Sequence, residues 1–278
     1  FWLEAHGKPQ VPMVAMWVAN AINLLLAVWV IPGTSPFPVS GAVAAGWVTL
    51  VARCSLLAML AGWIWFWPRA HEVGVFRAST PDRQEAREQR RIGYASGLSY
   101  AIEAGAFSGM NFVAAQLGVL VVAAWAVVMN VAAAVFMVPM GIAAAGAVLV
   151  SRAVGAQSIA AVKRAFGMAM KLAMGALLAL SLIVFLDAEL VGRAYSDDPA
   201  LLAMTASALL LSCLFFMADG AQVVASNALR ARGDVWWPTG MHFVSYVVVM
   251  IPLAWWFAVR QGGGLDGIIW AVIIASLI

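Results

Sequence analysis

Long apolar runs dominate the sequence, and short polar segments separate them. Many of these runs reach about 18 residues, long enough to cross the ~30 Å hydrocarbon layer of a bilayer as an α-helix. The pattern predicts eight helices, at 11–31, 39–67, 92–114, 118–150, 165–186, 200–227, 235–259 and 267–278. We therefore expect an all-α polytopic membrane protein.

The composition supports a membrane class. Hydrophobic residues make up 64% of the chain and charged residues 10%, against roughly half and about a quarter in soluble domains. We therefore expect a multi-pass protein of the inner or plasma membrane, with lipid as a partner and no nucleic acid. Cys54 and Cys213 both fall in apolar runs and form no CxxC motif, so they do not identify a redox compartment.

The connections between the predicted helices alternate in charge. One set contains most of the basic residues: Lys8, Arg69, Arg77, Arg83, Arg87, Arg90, Arg91, Arg152, Lys163, Arg164, Lys171, Arg230 and Arg232. The other set contains only Arg193 and Arg260, together with the acidic segment "SDDP" at 196–199. The positive-inside rule places the first set in the cytoplasm. Arg53 lies inside a predicted span, and its role is open.

The longest polar stretch, 68–91, predicts a cytoplasmic linker between two membrane lobes. Within it, Thr80 as N-cap and Pro81 at the first helical position predict a short surface helix. A weak internal repeat starting at Pro12 and Pro238 agrees with two lobes, a common transporter design. The predicted division is 1–67, the linker 68–91, and 92–278.

Two acidic residues fall inside predicted spans. Glu103 lies 12 residues from Arg91, and Asp219 lies 11 residues from Arg230, which places both at a depth of ~16–18 Å, near the bilayer midplane. A charge there costs on the order of 2.5–3.5 kcal/mol, so it usually faces a cavity or a partner. Low dielectric and mutual repulsion both favour protonation of paired carboxyls. We expect a proton or cation site, Na⁺ included; a protonated acid that joins helices is the alternative.

Other polar residues supplement these acids. Ser99 and Tyr100 share a helix face with Glu103, and Gln222 shares one with Asp219, as do Ser212 and Ser226. Their side chains would complete an ion shell or hydrogen-bond neighbouring helices. Asn20 and Asn23 form another polar cluster, and a membrane-buried Asn often joins helices.

No catalytic pattern is present in the sequence. His6, His71 and His242 stand apart, and HExxH, Walker and GxSxG motifs are absent. We therefore expect no enzyme and no cofactor. Without an ATP site, pumping would depend on an ion gradient.

Several segments together resemble the multidrug and toxic compound extrusion (MATE) family of secondary transporters. They are "SYAIEAGAF" at 99–107, "VPMGIAAAGAVLVSRAVGAQ" at 138–157, "MADGAQVVASNALRARGDVWWP" at 217–238 and "SYVVVMIPLAWWFA" at 245–258, with a less specific match at 12–33. The resemblance implies a two-lobe bundle of six plus six helices. Eight would be present here: the last two of the first lobe and the second lobe. The chain would then be a fragment that lacks the first four helices and is truncated in the last.

The resemblance also implies a function. It predicts a secondary active antiporter that exports organic cations and other drugs in exchange for Na⁺ or H⁺, with Glu103 and Asp219 as the second-lobe acids and Asn20 and Asn23 as the first-lobe pair. We expect a monomer. Phe215 stands where some members have a tyrosine, which weakens the case for full Na⁺ coordination. A flippase for lipid-linked saccharides is the alternative, although its anionic substrates favour a basic cavity.

Overall fold

The computed structural model describes residues 3, 6–33, 40–77 and 82–278. The chain divides into two compact units, Phe1–Pro81 and Asp82–Ile278. Both are helical throughout their described elements. The predicted all-α membrane architecture is confirmed.

The first unit is a helical hairpin. Helix α1, Gln10–Val30, packs against α2, Gly41–Phe66. Val30, Ala44 and Val48 form a small apolar cluster where the two helices meet. Alanines along both helices are buried, because a small side chain lets two helix backbones approach closely.

The second unit contains seven helices. They are α3 (Arg83–Leu117), α4 (Val119–Gly155), α5 (Ile159–Leu186), α6 (Ala188–Arg193), α7 (Pro199–Ala231), α8 (Trp236–Arg260) and α9 (Gly264–Ser276). α7 packs along both α4 and α5. The core contains the fully buried side chains of Trp125, Leu177, Leu209, Met250 and Ile268.

Local sequence signals explain several helix starts. Asp82 caps α3 by accepting a hydrogen bond from the Gln84 amide at 2.8 Å, and Asp198 caps α7, with Pro199 at its first position. α3 and α4 are separated only by Gly118, whose φ of 112° is readily adopted by glycine. α8 contains π-helical turns at Phe243–Met250 and Trp256–Arg260.

Six of the described helices are long and apolar enough to cross a membrane: α1, α2, α4, α5, α7 and α8. α9 is apolar but shorter. α3 is long enough, but Glu103, Asn111 and Gln116 lower its hydropathy. The span predicted at 92–114 lies within α3, which is not among these six helices.

The structure corrects two predicted boundaries. The surface helix and the span predicted from residue 92 are one continuous helix, α3, because no proline interrupts the chain between Arg83 and Leu117. Thr80 and Pro81, the predicted cap and first position, lie outside the described residues. α5 starts at Ile159 rather than 165, after Ser158, which accepts a hydrogen bond from the Ala161 amide. Lys163 therefore lies in a helix and not in a loop.

Candidate ion-binding site

A narrow cavity lies inside the second unit, between α3, α4, α7 and α8. Its lining residues are Tyr100, Glu103, Phe136, Asp219, Gln222, Val223, Ser226, Arg230, His242 and Tyr246. The free space is about 20 Å³, which is enough for one water molecule. The cavity is therefore of a size suited to one small ion or to one water molecule that carries a proton.

Helical spacing places these side chains on common faces. On α7, Asp219, Gln222, Ser226 and Arg230 follow one another at intervals of three or four residues, the spacing that aligns side chains along one side of a helix. Ser99 and Glu103 have the same relation on α3, and so do His242 and Tyr246 on α8. Each helix thus presents a polar stripe to the cavity.

The two acids meet at this cavity. Asp219 is buried, with 7% of its surface exposed, and Glu103 is partly buried. Both side chains line the same cavity. The predicted pair of carboxylates, drawn from helices distant in sequence, is therefore present in the fold.

The Tyr246 hydroxyl lies between two hydrogen-bond acceptors, on Asp219 and Gln222. Its Oη lies 3.4 Å from Asp219 Oδ1 and 3.1 Å from Gln222 Oε1. A phenol has one proton, so it donates to only one of these oxygens at a time. The phenol oxygen, the amide oxygen and the two carboxylates together offer oxygen ligands of the type that hard cations prefer.

A second chain of hydrogen bonds begins at Arg230. Its Nη2 donates to Ser99 Oγ at 2.7 Å, and Ser99 Oγ lies 2.8 Å from His242 Nδ1. His242 Nε2 lies 3.4 Å from Ser226 Oγ. The Arg230 guanidinium also packs over the Tyr100 ring, 5.3 Å from its centroid, within the range of a cation–π contact.

Aromatic rings close one side of the cluster. Phe107 contacts both Tyr246, with ring centroids 5.6 Å apart, and Phe215, at 6.2 Å. These rings exclude water and lower the local dielectric, which strengthens every electrostatic interaction at the acids. Phe215 contributes no hydroxyl to this cluster.

The structure brings most of the predicted site residues together. Glu103, Asp219, Tyr100 and Gln222 line the cavity, and Ser99 hydrogen-bonds two residues of its wall. Ser212 instead donates to the Ala208 carbonyl of its own helix at 2.7 Å.

Asn20 and Asn23 belong to the first unit, where Asn20 is exposed and Asn23 is partly buried on α1. Their contribution to an ion site stays a prediction.

Sequence reasoning misses three residues of this cluster. In the sequence His242 stands apart from the other histidines, Arg230 falls in a cytoplasmic connection, and Tyr246 belongs only to a weak repeat. In the structure, Arg230 lies within α7 and His242 is buried. The intervals from Asp219 to Arg230 and from His242 to Tyr246 are the signals that would find them.

Comparison with known proteins gives a family match. The MatE family model matches residues 95–256. A probable multidrug resistance protein NorM of Caulobacter vibrioides is 43% identical over 278 residues, which is 100% of this chain and 59% of that protein. The multidrug resistance protein NorM of Aliivibrio fischeri is 28% identical over 243 residues, 86% of this chain and 52% of that protein.

Solved structures show the same fold. A MATE crystal structure in the straight conformation gives a TM-score of 0.87 at 22% identity, over 99% of this chain and 61% of that one. An outward-facing multidrug resistance MATE family transporter of the MOP superfamily also gives 0.87, at 21% identity and the same coverage. The chain therefore spans about 60% of the length of the proteins it matches.

Proposed function

The chain belongs to the MatE family of multidrug efflux transporters, and on that premise we propose that it forms part of a gradient-driven antiporter. The family consists of multi-pass membrane transporters rather than enzymes. The proposed substrates are organic cations, exported in exchange for Na⁺ or H⁺. Glu103 and Asp219 bind the coupling ion in one state of the transporter and release it in the other.

One observation carries the proposal: two carboxylates face the same cavity of about 20 Å³ between α3, α4, α7 and α8. An acid pair buried at membrane depth is costly unless it binds a proton or a cation. The Tyr246 hydroxyl and the Gln222 amide oxygen, 3.1 Å apart, supply further polar atoms at the same place. This arrangement favours an exchangeable small ion over a purely structural acid.

The cavity size separates the ion from the exported substrate. Drug-sized ligands occupy pockets of roughly 300–1,000 Å³, far more than the space beside Asp219. This difference in size supports a separate position for the substrate, with competition between the two ligands through the conformations that they stabilise. Such coupling requires only that each ligand has different affinities for the two states.

Replacing one acid tests the proposal directly. The full-length protein is reconstituted into proteoliposomes loaded with ethidium, and ethidium movement is followed under an imposed pH gradient and then an imposed Na⁺ gradient. Glu103→Gln keeps the shape of the side chain but cannot release a proton or bind a cation as a carboxylate. We expect it to lower gradient-driven movement at least roughly tenfold, with normal membrane insertion.

Glu88→Gln is the matched control. Glu88 is exposed on the same helix, α3, and has no role in the cavity, so its variant should move ethidium at the wild-type rate. If the Glu103→Gln variant is expressed at the wild-type level and exports ethidium at the wild-type rate, Glu103 has no role in the proposed mechanism. If the wild type responds to neither gradient, the antiporter proposal itself is wrong.

A further inference from the structure

Arg230 is a cation in the wall of a site that is otherwise acidic. It extends from the same face of α7 as Asp219, 11 residues later, and it is partly buried. Its Nε is buried and, within the described part of the chain, has no hydrogen-bond partner. A guanidinium is never deprotonated in proteins, so this positive charge is permanent.

Two contacts hold the guanidinium against α3, the helix that carries Glu103. Its Nη2 donates to Ser99 at 2.7 Å, one helical turn from Glu103 on α3. Its plane packs over Tyr100, at 5.3 Å from the ring centroid. Glu103 and Arg230 line the same cavity, although no direct ion pair joins them among the described residues. Arg230 therefore offsets acidic charge without filling the cation position.

A neutral His242 satisfies this network without adding a positive charge. Ser99 accepts from Arg230, and the network is satisfied when the Ser99 proton is donated to His242 Nδ1, 2.8 Å away. The ring proton then lies on Nε2 and faces Ser226 Oγ at 3.4 Å. In this arrangement the imidazole is neutral.

The net charge around the cavity follows from the residues that each helix contributes. α3 contributes Glu103, α7 contributes Asp219 and Arg230, and α8 contributes the neutral His242 and Tyr246; Phe136 lines the cavity from α4. Two carboxylates and one guanidinium leave one negative charge when both acids are ionised.

We propose that Arg230 limits this site to one exchangeable monovalent cation. The inference rests on the proposed ion-binding role of Glu103 and Asp219. It identifies Arg230 as the residue that determines how many positive charges are exchanged. A residue that only joined α3 to α7 would affect stability but not the number of cations bound. Charge count is therefore the property to measure.

The test uses the full-length protein and the variant Arg230→Gln. Na⁺ binding to the purified protein is measured by calorimetric titration, with choline chloride holding the ionic strength constant. Proton uptake after a small acid addition is measured with an indicator dye. In proteoliposomes, the potential dependence of ethidium accumulation gives the charge moved per ethidium.

When the positive charge of Arg230 is removed, the second carboxylate should also bind an exchangeable cation. We expect Arg230→Gln to bind one additional monovalent cation per protein, to bind the first roughly tenfold more tightly, and to move one more elementary charge per ethidium. Arg232→Gln is the matched control, since Arg232 is an exposed arginine at the end of the same helix. It should match the wild type in every measurement.

Two further variants keep the inference testable if Arg230→Gln does not fold. Arg230→Lys keeps the charge and should keep the wild-type cation count. The double variant Glu103→Gln with Arg230→Gln removes one charge of each sign, which avoids an uncompensated acid, and it should again bind one cation. A wild-type cation count and affinity in Arg230→Gln, or a changed count in Arg230→Lys or the double variant, would overturn the inference.

The two proposals fail in different ways. If ethidium does not move in the wild type but Arg230→Gln still gains a cation, the export function is wrong and the role of Arg230 stands. If ethidium export is coupled normally and Arg230→Gln binds and moves the same charge as the wild type, the role of Arg230 is wrong and the export function stands.

Discussion

At the scale of single residues, Tyr246 is the side chain most able to report the state of the site. It is 1% exposed, and its hydroxyl faces both Asp219 Oδ1 and Gln222 Oε1. When Asp219 is ionised, donation to its carboxylate is favoured, because hydrogen bonds to charged acceptors are stronger. When a proton or cation neutralises Asp219, the hydroxyl can turn to Gln222.

Removing this hydroxyl should weaken coupling without removing a charge. A hydrogen bond to a charged group contributes about 1.5–3 kcal/mol, so we expect Tyr246→Phe to raise the Na⁺ or H⁺ concentration for half-maximal ethidium export roughly tenfold or more. The measurement is the ion dependence of export by the full-length protein.

A second tyrosine provides the control for this substitution. Tyr195 donates to Asn130 Oδ1 at 2.8 Å in an exposed position outside the cavity. Tyr195→Phe therefore makes the same chemical change without touching the site, and its ion dependence should equal that of the wild type. Equal behaviour of the two variants would exclude the proposed role of Tyr246.

At the scale of helices, close packing around Gly220 sets the position of Asp219. Gly220 follows Asp219 on α7, where α7 crosses α4 and α5. A Cβ at this position would overlap the side chain of Leu177 on α5 and lie 3.4 Å from Pro139 Cβ on α4. The missing side chain thus lets three helix backbones approach, and that contact holds the acid at its depth.

Adding a methyl group here should destabilise the protein. Overpacking typically costs about 1–3 kcal/mol, so we expect Gly220→Ala to lower the Tm of the purified full-length protein. Gly175→Ala on α5 is the control, because nothing lies within 4 Å of a Cβ there and alanine favours helix formation over glycine by about 1 kcal/mol. A Gly220→Ala protein as stable as the control would show that this helix crossing tolerates rearrangement.

The π-helical turns of α8 also shape the site. Phe243–Met250 contains Tyr246 and directly follows His242. Pro252 comes shortly after, and it has no N–H to donate to the preceding turn. A π-helical turn is wider than an α-helical turn and often occurs at functional sites. Here it accompanies the edge-on contact of the His242 and Tyr246 rings, whose centroids are 5.5 Å apart.

At the scale of the whole molecule, every residue that lines the cavity lies in the second unit, Asp82–Ile278. The proposed ion-binding cluster is therefore assembled within one unit. Export in a two-lobe transporter requires movement of one lobe against the other. The chain covers 59% of the Caulobacter relative, so a protein of that relative's length has more residues than the 278 of this chain.

We accordingly expect residues 1–278, expressed alone and reconstituted, not to accumulate ethidium against its gradient. The full-length protein, reconstituted in parallel under the same imposed gradients, should do so. The measurement is the steady-state ethidium ratio across the vesicle membrane. Accumulation by residues 1–278 equal to that of the full-length protein would contradict a requirement for both complete lobes.

The amino-acid sequence by itself determined the class of the protein and the location of its helices. The apolar run that forms α7 and the prolines and capping acids at helix starts act locally, so they can be read without knowing what packs against them. Glu103 and Asp219 were identifiable for the same reason, because a charge in an apolar run is costly wherever the helix packs.

The tertiary structure decided which polar faces meet. Arg230 and His242 join the acids only because α3, α7 and α8 are rotated so that Ser99 lies between them. That rotation depends on side-chain packing between helices distant in sequence, such as the contact of Gly220 with Leu177, and hydropathy does not encode it. In the sequence, a charged residue near a helix end is interpreted as lying at the membrane interface, whereas the packing places Arg230 in the wall of the cavity.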